Sequence, residues 1–476
     1  MIFLILNVNA PSANSKEFYE QNSRKSPKET IRFSNEEFFD NKFSYRSSSK
    51  GHVQLPDLRE LKNKVQFVEQ NYEIKDQFLA FSDKLVYRPG EKIKLYIKAE
   101  GVFTIDLLNV STGKTELIES AMKSLKNSNS IHFNTFYGFE KIENFTEFVY
   151  VVPNHFGWFN FNIYNQNLNA HIPIFIEDVK GRPVLFIEST DTLKAYNSKE
   201  TFRNMYSNPR RVIIGEFTRS ITYPMNYKIL DYSAIINSNE RINCNEHLIN
   251  ADFLHKKNLD SLKIAFDNVS DEFLDNELDL MRYKMIVLGT HNEYWSQKKL
   301  YRITEYLEKG GSLLILGGNT AWGWIMRSKH FEVIFGSNIL RTEKKFEPFL
   351  SNILGSYYSA EGFDTYAPFE ATKAINKLGI EIPANNEFAV SSDFNSCREK
   401  ILGGSGHETD KLYDKSVGFD VIAVGKNVEG GANVVHKKFN SGGQVLNFGS
   451  LSLWHRSTDL TVRKLISFIY ENSQTR

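Results

Sequence analysis

Two hydrophobic rhythms divide the chain. From Phe78 to about Glu177, apolar and polar positions alternate in short runs, as in Lys92-Ile-Lys-Leu-Tyr-Ile-Lys98, Phe103-Thr-Ile-Asp-Leu107, Phe148-Val-Tyr150 and Gly157-Trp-Phe-Asn-Phe-Asn-Ile-Tyr164. Turn-forming residues separate them, at Arg88-Pro-Gly-Glu91 and Ser111-Thr-Gly-Lys114. Period-two runs at this spacing predict a small antiparallel β-sandwich. After Gly181-Arg-Pro183 the alternation stops. Val184-Leu-Phe-Ile187 before Glu188, Met285–Leu288 and Leu313–Leu316 are continuous apolar runs, the pattern of parallel strands covered on both faces, and Gln444-Val-Leu-Asn-Phe448 provides a late strand. Between the second and third, Leu300, Ile303 and Leu307 recur at helical spacing until Gly310-Gly311 ends the run. Val462, Leu465, Ile466 and Ile469 mark a closing helix over 462–472.

The expected architecture is therefore α/β: a mostly parallel open sheet with helices on both sides over 179–476. An immunoglobulin-like β-sandwich at 76–178 precedes it. Residues 1–75 carry no long amphipathic period and read as an N-terminal extension.

Composition narrows the functional classes. At 476 residues, 41% of them hydrophobic, two or three domains with sizeable cores are expected. Lys plus Arg number 58 against 57 Asp plus Glu, with no basic cluster, so nucleic acid is not an expected partner. Cys244 and Cys397 fit no metal-ligand spacing and point to a reducing compartment. The apolar opening Met1-Ile-Phe-Leu-Ile-Leu6 is too short for a signal peptide or a membrane span. A cytoplasmic protein without a membrane partner is the expectation.

Chemistry concentrates where the apolar strands end. Gly289-Thr-His291-Asn-Glu293-Tyr294-Trp295 presents an imidazole and a carboxylate at once, and Gly317-Gly-Asn319 follows the next strand. In strand–helix–strand units, ligands bind at the carboxyl ends of the strands. A glycine-rich stretch, Gly403-Gly-Ser-Gly-His407-Glu408, adds a second carboxylate. Each has a plain structural alternative: His291 and Glu293 suit a helix start, Asn319 a left-handed turn, and Glu408 a solvated loop. Their convergence at one sheet edge carries more weight than any single residue. Serine or cysteine nucleophile elbows, phosphate-binding loops and His-Glu-x-x-His helices are absent.

At these residues the chain resembles the C-terminal domain of the N,N-dimethylformamidase large (beta) subunit. The shared stretches are Leu193-Lys-Ala-Tyr196-Asn197, the His291 turn, Gly311 to Asn319, Tyr358-Ser-Ala-Glu-Gly362, Gly406-His-Glu408-Thr-Asp410 and Phe448-Gly-Ser-Leu-Ser-Leu-Trp454. They occur in the family's order from about residue 181 onwards. The resemblance implies a domain like that of class I glutamine amidotransferases, one ferric iron per chain, and hydrolysis of a small substituted formamide. It implies Tyr196, Tyr206 and Glu293 as iron ligands, with the match at Tyr206 loose. His291 and Glu408 become the proton-handling residues, and Asn319 a polar contact. A small partner subunit or a homo-oligomer is implied too. Phenolate and carboxylate oxygens suit ferric iron. Asn292 stands where the family often has proline and is expected only to shape the turn. Trp295, Trp322 and Trp324 are candidates for an apolar pocket wall. Two alternatives remain open: a non-catalytic protein that binds carbohydrate or peptide, and a hydrolase using another metal such as zinc.

Overall fold

A computed structural model describes residues 79–98, 101–123, 131–134, 138–142, 146–152, 155–166, 169–195, 219–220, 249–276, 279–327, 332–335, 350–359, 361–362, 365–390, 403–413 and 418–474. The N-terminal extension expected at 1–75 lies outside them, as do Cys244 and Cys397.

Alternation builds the first unit. β1 (Leu79–Ser82), β3 (Lys92–Lys98) and β6 (Thr146–Val151) form one antiparallel sheet. β2 (Val86–Tyr87), β8 (Asn169–Ile176), β7 (Gly157–Tyr164), β4 (Val102–Asn109) and β5 (Thr115–Lys123) form the other, in that order. Ile93, Leu95 and Ile97 from the first sheet meet Phe103, Ile105, Leu107, Phe161 and Ile163 from the second in one core. The intervening Lys92 and Lys94 are exposed, so the period-two pattern is the inside–outside pattern of the strands.

Continuous apolar runs build the second unit. Its sheet has nine strands among the described residues. Five lie parallel, in the order β10 (Phe266–Ser270), β9 (Val184–Glu188), β11 (Met285–Leu288), β12 (Ser312–Ile315) and β17 (Gln444–Asn447). Beyond β17 every pairing is antiparallel: β16 (Asn433–Lys438), β15 (Asp420–Gly425), β13 (Phe369–Ala371) and β14 (Glu387–Phe388). Alternate residues of the parallel strands feed opposite cores. Leu185, Ile286, Leu313 and Val445 face one side, with Leu300, Ile303 and Leu307 of α4 (Gln297–Glu308). Val184, Met285, Leu314 and Leu446 face the other, with Leu259 of α2 (Ile249–Ser261) and the closing helix α5 (Leu460–Glu471).

The expected fold class needs correction. Among the described residues strand outweighs helix, 42% to 24%, and the large sheets are mixed or antiparallel, so this is not the mostly parallel α/β sheet of a class I glutamine amidotransferase. The physical reason lies in what strong apolar runs report. They mark covered strands but not strand direction: β15 carries the apolar run Val421–Val424 and pairs antiparallel, while β13, β14 and β16 carry shorter or mixed patterns. Among the described residues, no helix is long and apolar enough to cross a membrane.

Candidate functional site

The site is assembled where the parallel strands end. β11 stops at Gly289, where a Cβ would lie 2.4 Å from the Asp252 carboxylate. Asp252, on α2, accepts hydrogen bonds from the Thr290 amide (2.7 Å) and the Thr290 hydroxyl (2.8 Å). Burial, and after it repulsion from Glu188, pushes the Asp252 carboxyl up to about 7. Two further glycines let the next loops cross. A Cβ on Gly317 would lie 1.6 Å from the Thr290 carbonyl oxygen, and one on Gly318 would lie 2.6 Å from that of Glu408. Glycine is required here by close backbone approach.

Four of the sequence-predicted residues meet at this crossing. His291 Nε2 lies 3.3 Å from Glu293 Oε2 and 3.1 Å from Glu408 Oε2. Asn319 donates from Nδ2 to Glu408 Oε2 at 2.9 Å and from its amide to Asp410 Oδ1 at 2.7 Å. Its φ of 53° is left-handed, as expected for asparagine in a turn. All five side chains are buried. Burial opposes charge on His291, but the Glu408 carboxylate and then Glu293 outweigh it, holding the imidazole above its ordinary range. The last strand's exit supports Glu408 from behind. Leu451 donates its amide to the Glu408 carbonyl (3.1 Å), and the Asp410 amide donates to that of Gly449 (2.7 Å).

Tyr196 and Tyr206, the expected phenol ligands, lie outside the described residues. The helix α1 (Thr190–Ala195) ends immediately before Tyr196, and Thr192 Oγ1 accepts the Glu293 amide at 3.0 Å. Among the described residues, no group of three or more His, Cys, Asp or Glu is arranged to hold a metal ion. Trp295 is core rather than an open wall: it is buried, and its indole N–H donates to the Asn292 carbonyl at 2.8 Å. Trp322 is half-buried and meets Tyr294 edge-on, with ring centres 6.2 Å apart.

Residues 144–452 match the N,N-dimethylformamidase beta subunit-like, C-terminal family. The chain belongs to this family. The matched span contains His291, Glu293, Asn319 and Glu408, together with both tyrosines. No curated protein matches the chain. Likeness to solved structures is slight. The mmIFT52 N-terminal domain is 13% identical, with 45% of this chain and 86% of that one covered at a TM-score of 0.29. A GH42 beta-galactosidase is 13% identical over 60% and 30% of the two chains, at 0.28. A carbohydrate acetylesterase from Xanthomonas citri is 9% identical over 48% and 57%, at 0.15. At such scores they carry no argument about fold or function.

The sequence alone did not single out Asp252, Asp271 or Lys299 around this cluster, and it placed Asp410 within a shared stretch without giving it a role. Asp410 sits two positions beyond Glu408, and that spacing was available as a signal. Lys299 lies one helical turn before Ile303, on the inward stripe of α4, which for a lysine is unusual. Asn292 does more than shape its turn. Its side-chain oxygen accepts from the Lys299 ammonium, and its Nδ2 donates to Ser189 Oγ at 3.2 Å.

Proposed function

We propose that the chain is a metal-dependent hydrolase of small amide C–N bonds, acting as its family name implies on substituted formamides. Ferric iron is the metal proposed, held by Tyr196, Tyr206 and Glu293. The observation that carries this reading is the buried meeting of His291, Glu293, Glu408 and Asn319. Two buried carboxyl groups, those of Glu293 and Glu408, flank the His291 imidazole, and with the phenols of Tyr196 and Tyr206 they would supply the anionic oxygen donors that suit a cation. Buried negative charge is costly without a positive partner. The Asn319 side-chain oxygen is also buried with no hydrogen-bond partner among the described residues. Phenols titrate near 10 when free, so their use as anionic ligands at neutral pH requires a strong Lewis acid.

Bound there, ferric iron would supply Lewis-acid polarisation of an amide carbonyl or of water. The protein's own groups handle the protons. Glu408, fixed by the Asn319 amide and facing His291, is the base that takes a proton from the attacking water. His291, kept basic by its two carboxylates, holds a proton at Nε2 and delivers it to the departing amine nitrogen. The surrounding apolar core excludes bulk water, which strengthens each of these interactions. A small partner subunit, or self-association, belongs to the same proposal.

Colour and metal content provide the test. Purified protein with phenolate-ligated ferric iron absorbs visible light and contains about one iron per chain, as this ligand chemistry requires. Tyr196→Phe bleaches the colour and loses the metal. Glu408→Gln keeps the metal and loses hydrolysis of N,N-dimethylformamide. Colourless, metal-free wild-type protein, or full turnover by Glu408→Gln, would overturn the reading.

A further inference from the structure

A second buried network stands beside the site, and its centre is a lysine. The side chains of Lys299 and Asp271 are each 1% exposed and pair at 2.5 Å. Asp271 opens helix α3 (Asp271–Asn276). Its other oxygen accepts the Asp191 amide at 2.9 Å, while its own amide donates to Thr190 Oγ1 at 3.1 Å. The Lys299 ammonium also donates to Asn292 Oδ1 and lies 4.6 Å above the centre of the Trp295 ring. Asn292 reaches across to Ser189, and the Glu293 amide reaches Thr192. Residues 189–192 and 292–293 are thus joined directly at two points, and Asp271 ties Thr190 and Asp191 to the same ammonium group that holds Asn292.

We propose that Lys299 is a positioning residue: with Asp271 and Asn292 it forms a joint that fixes the Glu293 turn against the 189–192 segment. The chemistry favours a rigid joint. A buried ammonium needs acceptors in fixed places, because any displacement leaves charge uncompensated in a low-dielectric interior. Both segments must therefore move together or not at all. An apolar side chain at 299 could fill the same space but could not couple them. Groups that hold metal ligands in place govern affinity without touching the metal. The inference rests on the metal reading only for its second readout.

The experiment uses the full chain as wild type, Lys299→Met, Asn292→Ala and the double variant. Backbone hydrogen exchange is measured over 189–193 and 291–295, with β12 and β17 as internal reference. The metal-stripped proteins are also titrated with ferric ion alone. Loss of the joint raises exchange about tenfold in both segments together, leaving the reference strands unchanged. The ferric dissociation constant rises about tenfold or more. The double variant matches Lys299→Met, because the two residues act as one unit. Exchange that rises in one segment only, or throughout the protein, overturns the joint, as do additive effects in the double variant. Should Lys299→Met not fold, Asn292→Ala decides alone, since it spares the Asp271 pair. Should wild type take up no ferric ion, the metal reading fails and the exchange pattern still decides the joint.

Discussion

Gly317→Ala is the sharpest test of how the site is built. The added methyl would sit 1.6 Å from the Thr290 carbonyl oxygen, and a real Cβ essentially never comes within 3.0 Å of another heavy atom. The gap must open by well over an ångström, and the obstacle is backbone, which has no rotamer to escape into. Thr290 is not free to retreat. Its amide and hydroxyl are held by Asp252, and the Leu316 amide donates to Leu288 just upstream at 3.2 Å. Downstream, the Ala321 and Gly323 amides donate to the carbonyls of Asn292 and Glu293 at 3.1 and 3.0 Å. Overpacking a fixed interior costs about 1–3 kcal/mol. Stretching one or two of these bonds adds about 1 kcal/mol each. A loss of about 3 kcal/mol is expected, measured as a lower urea midpoint at unchanged m-value. Hydrogen exchange should rise at residues 290–293 first. A loss below about 1 kcal/mol, on the scale of an ordinary surface substitution, would show that the crossing is loose and refute the close-approach account of this glycine.

Three other outcomes follow from the same geometry. Asn319→Asp replaces the Nδ2 donor beside Glu408 Oε2 with a second carboxyl. Like charges raise the folded-state pKa, so the stability deficit should grow from pH 5 to pH 8; a pH-independent deficit in chemical denaturation contradicts it. Burial drives the His255 imidazole down to about 3. The folded state therefore refuses a proton that the unfolded state accepts below about 6.5, and this stability is complete above that pH and lost as pH falls towards 3. His255→Gln removes the effect, so the difference between wild type and variant should change by up to about 1.4 kcal/mol per pH unit across that window. Asp252 has the opposite sign, since its folded-state value is raised: the stability it contributes is complete near pH 4 and lost as pH rises through about 7. Asp252→Asn should flatten that decline in a pH series of urea midpoints, and an unchanged decline removes Asp252 as its source.

Legibility in the sequence tracked the strength of the burial signal. His291, Glu293 and Asn319 were readable because each follows an apolar strand that can end only in a polar turn. Glu408 was readable through its glycines, which fit between crossing backbones. The antiparallel half of the large sheet was not readable, because β13 and β14 are two or three residues long, β16 is mixed, and the apolar run Val421–Val424 of β15 does not reveal the direction of its partners. Lys299 and Asp252 were missed for a different reason. A charged residue on a helix normally marks a solvated face, whereas here both lie inward, Asp252 on Thr290 and Lys299 on Asn292 and Asp271. In α2 the polar residues Asp252, His255, Lys256 and Asn258 are all buried, so no amphipathic stripe exists to be recognised. The two tyrosines were reached only through family resemblance.

The site poses an electrostatic problem whose solution explains its surroundings. Glu293 and Glu408 are buried against one imidazole, with Asp410 buried beyond Asn319, where like charges repel and solvent cannot screen them. Left to themselves, such loops would separate. Each is instead tied from outside the cluster: Glu293 through Thr192, Glu408 through Leu451 and Asn319, and Asp410 through the Asn319 and Gly449 backbones. Asp252 and Lys299 extend these ties into the flanking helices. On the metal reading proposed above, tethers that work against repulsion would also reduce the reorganisation needed to bind a cation. It follows that removing a tether should weaken cation binding even when the folded protein gains stability from relieved repulsion. A purely structural network would move the two quantities in the same direction.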